Sequence, residues 1–255
     1  MKNQSRANLV VLAALSACMF AATPADAAGI LYLNRCAAPC AYISGPDNSC
    51  LHQTSIIGGS HSLAASNYDD SYWNTLVSCV TSVLDPFDVT ITTTEPACGS
   101  GYWEIAVSGA SENLGLTIGL ESVSPFTCAQ VPNAPGFVFA NAMADPLLAC
   151  WKALQVFGFL QGADRVFDIR DPMTDGDGCL VQRFTATPLP CTGQVNPGLC
   201  CTGAPTQTSQ ALLFGLLGKR PGGAVFSDGF EAWNSGSAQL TGSACHWDQA
   251  LASAQ

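Results

Sequence analysis

Pro146-Leu147-Leu148-Ala149-Cys150-Trp151-Lys152-Ala153-Leu154-Gln155-Val156-Phe157-Gly158-Phe159-Leu160 is the stretch that decides how this chain folds. Proline suits the first turn of a helix, where its missing N–H costs nothing, and the residues after it are apolar on nearly every face. A helix with almost no polar side must lie inside its domain, with other elements on all sides of it. Upstream, residues 71–84 place Trp73, Leu76, Val77, Val80, Val83 and Leu84 at spacings of three and four, the period of an amphipathic helix, and Asp85-Pro86 ends it. Residues 87–93 alternate Phe87, Val89 and Ile91 with Asp88, Thr90 and Thr92, which predicts a half-buried strand. Residues 30–34, 102–107 and 137–140 are further strand candidates. Gly45-Pro46-Asp47-Asn48 marks a turn in a loop bracketed by cysteines. Downstream, residues 171–205 are rich in Gly, Pro and Cys and read as loops, before a last helical run over 207–217. No internal repeat is evident.

Composition narrows the function classes. The 255 residues carry 9 Lys+Arg, 19 Asp+Glu and only 11% charged residues, with 48% hydrophobic. Average soluble chains carry about 25% charged residues, so there is ample core material here and no sign of a disordered acidic tail. The largest basic cluster is Lys219-Arg220, too little to displace counterions from phosphates, so nucleic acid is not an expected partner. Residues 1–27 read as a signal peptide: Lys2 and Arg6 open it, 9–22 is apolar but too short to span a bilayer, and Ala25-Asp26-Ala27 is a small-x-small cleavage site. Cleavage there leaves 255−27 = 228 residues with 7 basic and 18 acidic side chains, a formal charge of −11. Leu15-Ser16-Ala17-Cys18 resembles a bacterial lipoprotein box, and in that competing reading Cys18 bears a lipid anchor. No later run suggests a membrane span, and the expected location is secreted, periplasmic or cell-surface. By either route 12 cysteines remain: Cys36, Cys40, Cys50, Cys79, Cys98, Cys128, Cys150, Cys179, Cys191, Cys200, Cys201 and Cys245. An even number in an oxidising compartment predicts up to six disulfides, of open connectivity. A structural metal is disfavoured, since there is no Cys-x-x-Cys pair and His52, His61 and His246 lie far apart in the chain.

Particular residues carry a resemblance. Ile30-Leu31-Tyr32-Leu33-Asn34-Arg35, Asp47-Asn48-Ser49, Ser55-Ile56, Trp73, Cys79-Val80, Pro86-Phe87-Asp88-Val89-Thr90 and Phe137-Val138-Phe139-Ala140 are similar to segments of one group of secreted bacterial metzincin-like zinc metalloproteases. The similarity continues through Asp171-Pro172-Met173-Thr174 and Thr206-Gln207-Thr208-Ser209-Gln210 to Leu216-Leu217-Gly218, covering nearly all of 30–218. It implies an α+β, metzincin-like domain with a mixed twisted sheet, a buried central helix and a Cys/Gly/Pro-rich C-terminal subdomain. The expected divisions are 1–27 signal peptide, 28–165 N-terminal subdomain with the central helix, 166–220 C-terminal subdomain with a Met-containing turn, and 221–255 tail. Within that tail, Ala224-Val225-Phe226-Ser227-Asp228-Gly229-Phe230-Glu231 resembles short C-terminal segments of other exported bacterial proteins.

Active members of such a family carry H-E-x-x-H-x-x-G-x-x-H, in which three histidines hold zinc, the glutamate takes a proton from the zinc-bound water and a later methionine lies beneath the metal. Aligned on Gly162 and Asp171-Pro172-Met173-Thr174, the ligand positions here hold Gln155, Phe159 and Arg165, and the general-base position holds Val156. Phenylalanine cannot coordinate a metal, valine cannot accept a proton, and a permanent cation repels one. No histidine occurs between His61 and His246 to rescue the set. The resemblance thus implies a degenerate member, without a zinc cofactor or peptidase activity, with Met173 reduced to packing. Such a protein would act as a non-catalytic binding or structural module for a protein or peptide in the former substrate groove. The alternative is an active secreted zinc endopeptidase with an unrecognised ligand set.

Other chemistry is thinly signalled. No Gly-x-Ser-x-Gly elbow is present. Glu104 with Glu121 illustrates a carboxylate pair that a glycosidase could use, though nothing singles them out against solvated surface acids. Asp171, Asp175 and Asp177, interleaved with Gly176 and Gly178, form a calcium candidate whose spacing does not fit an EF-hand and which ordinary turn chemistry also explains. Trp103 reads as core, while Trp233 and Trp247 lie in the tail as candidates for a small adhesive surface.

Overall fold

The computed structural model describes residues 29–174, 183–192 and 198–222. The signal-peptide and lipid-anchor readings, Asp175, Asp177, Cys179, Cys245, Trp233, Trp247 and all of the tail beyond Gly222 lie outside the described residues.

The chain is a mixed α+β fold. Its elements in order are β1 (Gly29–Asn34), β2 (Cys40–Ser44), β3 (Gln53–Thr54), β4 (Ser60–Leu63), α1 (Asp70–Leu84), β5 (Val89–Thr92), β6 (Trp103–Val107), β7 (Ser122–Val123), β8 (Pro135–Val138), α2 (Pro146–Leu160), β9 (Leu189–Pro190), β10 (Thr206–Gln207) and α3 (Ser209–Leu217). The principal sheet runs β5-β1-β6-β8-β7. Its first four strands are parallel, and β7 pairs antiparallel with β8 at one edge. A smaller sheet, β3-β2-β4, and the β10-β9 ribbon complete the strands.

Period-two alternation sorts the strand residues to two faces. Leu31, Leu33, Trp103, Ile105, Val107 and Val138 join α1 and α2 in the main core. On the opposite face Ala106, Phe137 and Phe139 pack with Tyr42 and Leu63 of the small sheet. The sheet is therefore covered on both sides, which explains why β6 is buried at every position. Residues from both sides of position 165, including Val166, Met173, Phe184 and Leu213, share the main core with Leu31 and Leu154.

Each long helix starts on an aspartate cap. Asp69 accepts from the Tyr72 N–H at 2.9 Å and Asp145 from the Leu147 N–H at 2.8 Å, satisfying donors that the first helical turn leaves without partners. The two helices pack together, tied by Cys79–Cys150. α2 stops at Gly162, whose φ of +79° is a left-handed conformation and where a Cβ would come within 2.7 Å of the Ala129 backbone. Only glycine meets both conditions at once.

Five disulfides form among the described residues: Cys36–Cys40, Cys50–Cys98, Cys79–Cys150, Cys128–Cys201 and Cys191–Cys200. Ten of the twelve candidate cysteines are thereby paired. Among the described residues no helix is long and apolar enough to cross a membrane.

Candidate functional site

Two places in the fold gather chemistry-bearing residues. The first lies around the second half of α2, with Gln155, Val156 and Phe159 on the helix and Arg165 just after it. Gln155 is buried and its amide Nε2 donates to the Thr174 carbonyl at 2.5 Å. Val156 is fully buried and faces Gly136 of β8, where any Cβ would collide with it. Phe159 packs edge-on to Phe126, with ring centroids 5.3 Å apart, and the Arg165 guanidinium lies 5.4 Å from its ring centre. That stacking suits a planar cation against an aromatic face. Met173 is fully buried beneath the helix against Gly158, so close that a Cβ at 158 would clash with its Sδ.

The turn that carries Met173 is held by Asp171. One carboxylate oxygen accepts from the Met173 N–H at 2.9 Å, and the other accepts from the N–H and Oγ1 of Thr185 at 2.9 and 3.0 Å. Burial raises the Asp171 pKa, and these hydrogen bonds work against the rise. Asp171 thus serves the turn; its companions in the calcium candidate, Asp175 and Asp177, are outside the described residues. The residues around α2 do not fit a zinc ion. One amide already engaged with a carbonyl, two apolar side chains and a guanidinium supply no ligand set.

The second place lies on the other face of the sheet. Glu104 of β6 is fully buried between the principal and small sheets. Its Oε1 accepts from Asn34 Nδ2 of β1 at 2.7 Å and from the Tyr42 hydroxyl of β2 at 2.8 Å. Its Oε2 faces His52 Nδ1 at 3.4 Å, a charge-pair distance without good hydrogen-bond alignment. The other ring nitrogen, Nε2, lies 3.6 Å from Glu95, which also accepts from the Tyr102 hydroxyl at 3.2 Å. Tyr42 meets the imidazole edge-on at 5.5 Å.

His52 is placed by its backbone as much as by its ring. It ends the 3-10 turn Ser49–Leu51 in the left-handed region, with φ +49°. Its N–H donates to the Ser49 carbonyl and its own carbonyl accepts from Ile43 of β2, at 3.1 and 3.0 Å. Two residues earlier, Cys50 is bridged to Cys98 on the segment that carries Glu95. Interaction with the Glu104 carboxylate raises the His52 pKa most, partial burial opposes it, and the charges of Glu104 and Glu95 add to the rise. Burial, reinforced by Glu104 and Glu95, pushes Tyr32 up to about 12. Burial and Glu104 likewise raise Tyr42 well above its ordinary value.

The imidazole between two carboxylates can hold a proton. Among the described residues, no serine, threonine or cysteine forms a hydrogen bond to its ring. Among the described residues, no group of three or more His, Cys, Asp or Glu is arranged to hold a metal ion. The structure does not unite Glu104 with Glu121: Glu121 pairs at 2.7 Å with Lys152 of α2, and Glu104 has the partners just described. The sequence reading missed the His52 cluster altogether. One signal was present, a lone acid within Tyr102-Trp103-Glu104-Ile105-Ala106-Val107, because a charge inside a wholly apolar strand must find a partner.

No protein-family profile, curated protein or solved structure matches the chain.

Proposed function

We propose that this is an exported, disulfide-braced protein of metzincin-like fold that has lost zinc binding and peptidase activity, and acts as a non-catalytic binding or structural module. One observation carries the reading. The positions where a zinc peptidase would set its ligands and base are filled by packing: Val156 on Gly136, and Phe159 between Phe126 and Arg165. Filling these positions with side chains removes both the ligands and the space for a bound water. The occupant would be an extended protein or peptide segment. β7 supports this: it is an edge strand of the principal sheet and, among the described residues, pairs with β8 alone, the kind of edge at which an extended segment adds. Five disulfides suit an oxidising compartment.

The test is metal content by elemental mass spectrometry on the purified, oxidised mature protein, before and after zinc loading, alongside a peptide-hydrolysis assay. Near-zero zinc and no hydrolysis are expected. One zinc per chain together with cleavage would reinstate the secreted zinc endopeptidase.

A further inference from the structure

Neither of the two ends of the His52 ring is idle. Glu104 from β6 faces Nδ1 and Glu95 from the segment after β5 faces Nε2. Tyr42 from β2 meets the ring edge, and Tyr102 reaches the cluster through Glu95. A neutral imidazole has one N–H, so either tautomer turns the lone pair of its other nitrogen onto a carboxylate. Only the imidazolium presents an N–H to both. The position is also structural. Glu104 is held from the principal sheet by Asn34 and from the small sheet by Tyr42, while the loop bearing His52 hydrogen-bonds to β2 through the His52 carbonyl. Ser49 at the start of that loop donates to the Asn133 carbonyl, at 2.6 Å, just before β8.

We propose that His52 and Glu104 form a proton-controlled clasp between the small sheet and the principal sheet, closed when the imidazole carries its proton and loosened when it does not. Loss of the proton removes the positive charge that faces the buried Oε2 and turns one ring lone pair onto a carboxylate, while the His52 backbone keeps its hydrogen bonds to Ser49 and Ile43. The direction of the pH dependence follows from the sign of the shift. The folded-state pKa of His52 lies above its unfolded value of about 6.5, so the clasp's stabilisation is complete below that pH and is lost as pH rises through the folded-state value. Each unit between the two values changes the folding equilibrium constant by about tenfold.

Urea unfolding of the oxidised mature chain, followed by tryptophan fluorescence from pH 5.5 to 9, tests this in wild type and His52→Gln. The wild-type folding constant is expected to fall as pH rises above about 6.5. In His52→Gln that fall should be absent. Independently, the His52 ring titration is read by NMR in wild type and in Glu95→Gln, which alters only the half-exposed outer carboxylate. The wild-type midpoint should exceed the ordinary imidazole value of about 6.5, and Glu95→Gln should lower it. The clasp is overturned by a wild-type profile flat over this range, by the same slope in His52→Gln, or by a His52 midpoint no higher than the ordinary imidazole value of about 6.5. If His52→Gln does not fold, the wild-type urea profile and the two NMR titrations decide the matter.

Discussion

Replacing both cysteines of the Cys79–Cys150 bridge with alanine should cost far more than removing the short-loop bridge Cys36–Cys40. That bridge joins α1 to α2 across a sequence separation of 71, whereas Cys36–Cys40 spans a separation of 4. In the chain-entropy picture a crosslink restricts the unfolded ensemble more as the loop it closes lengthens. The two loops then correspond to about 4.4 and about 1.9 kcal/mol at 25 °C, a difference of about 2.5 kcal/mol. The side chains removed are matched. Cys150 and Cys36 are buried, Cys79 and Cys40 half-buried, so cavity costs cancel to first order between the two double variants. The assay is equilibrium urea unfolding of oxidised wild type, Cys79→Ala/Cys150→Ala and Cys36→Ala/Cys40→Ala. The helix-bridge variant should lose about 2–3 kcal/mol more than the short-loop variant. Equal losses, or a larger loss from the short loop, would refute the claim that the α1–α2 bridge acts through the unfolded chain.

The α2 region yields three further expectations. Phe159→His alone should take up no zinc in elemental analysis, since Gln155, Val156 and Arg165 still provide neither a full ligand set nor a base; tight stoichiometric uptake would mean that the ligand positions are misassigned. Gly158→Ala should destabilise by about 1–3 kcal/mol by pressing on Met173, and adding Met173→Ala should recover part of that loss in a double-mutant cycle. Additive losses would show that the two residues do not compete for the same space. Gly162→Ala should cost at least as much, about 2 kcal/mol or more in urea unfolding, because both its positive φ and the Ala129 backbone oppose a Cβ.

Legibility in the sequence differs sharply between elements. The central helix was readable to the residue, 146–160, because Pro146 marks its start and an apolar run on nearly every face carries it to Leu160. The first long helix begins at Asp70, one residue earlier than its periodicity suggests. The strand expected at 137–140 lies at Pro135–Val138 instead, and Ala140–Ala142 is a 3-10 turn. Pro135-Gly136 reads as a breaker, yet parallel pairing with β6 accepts both, and Gly136 is the residue that makes room for Val156. The helix expected over 207–217 begins at Ser209, Gln207 being paired in β10. The small sheet escaped notice because β2 buries a single residue, Tyr42, and gives no alternation to detect.

Local order was thus written in the chain itself. Caps, apolar periods and the even cysteine count are properties of neighbouring residues or of composition, and need no knowledge of where distant segments go. The disulfide partners, the covering of the sheet on both faces and the meeting of His52, Glu95 and Glu104 required the folded chain. His52 and Glu104 stand 52 positions apart, on a loop and on a buried strand, and the order of the strands is what brings them to 3.4 Å. A charge in an apolar strand announces that it needs a counterpart; packing selects which residue supplies it.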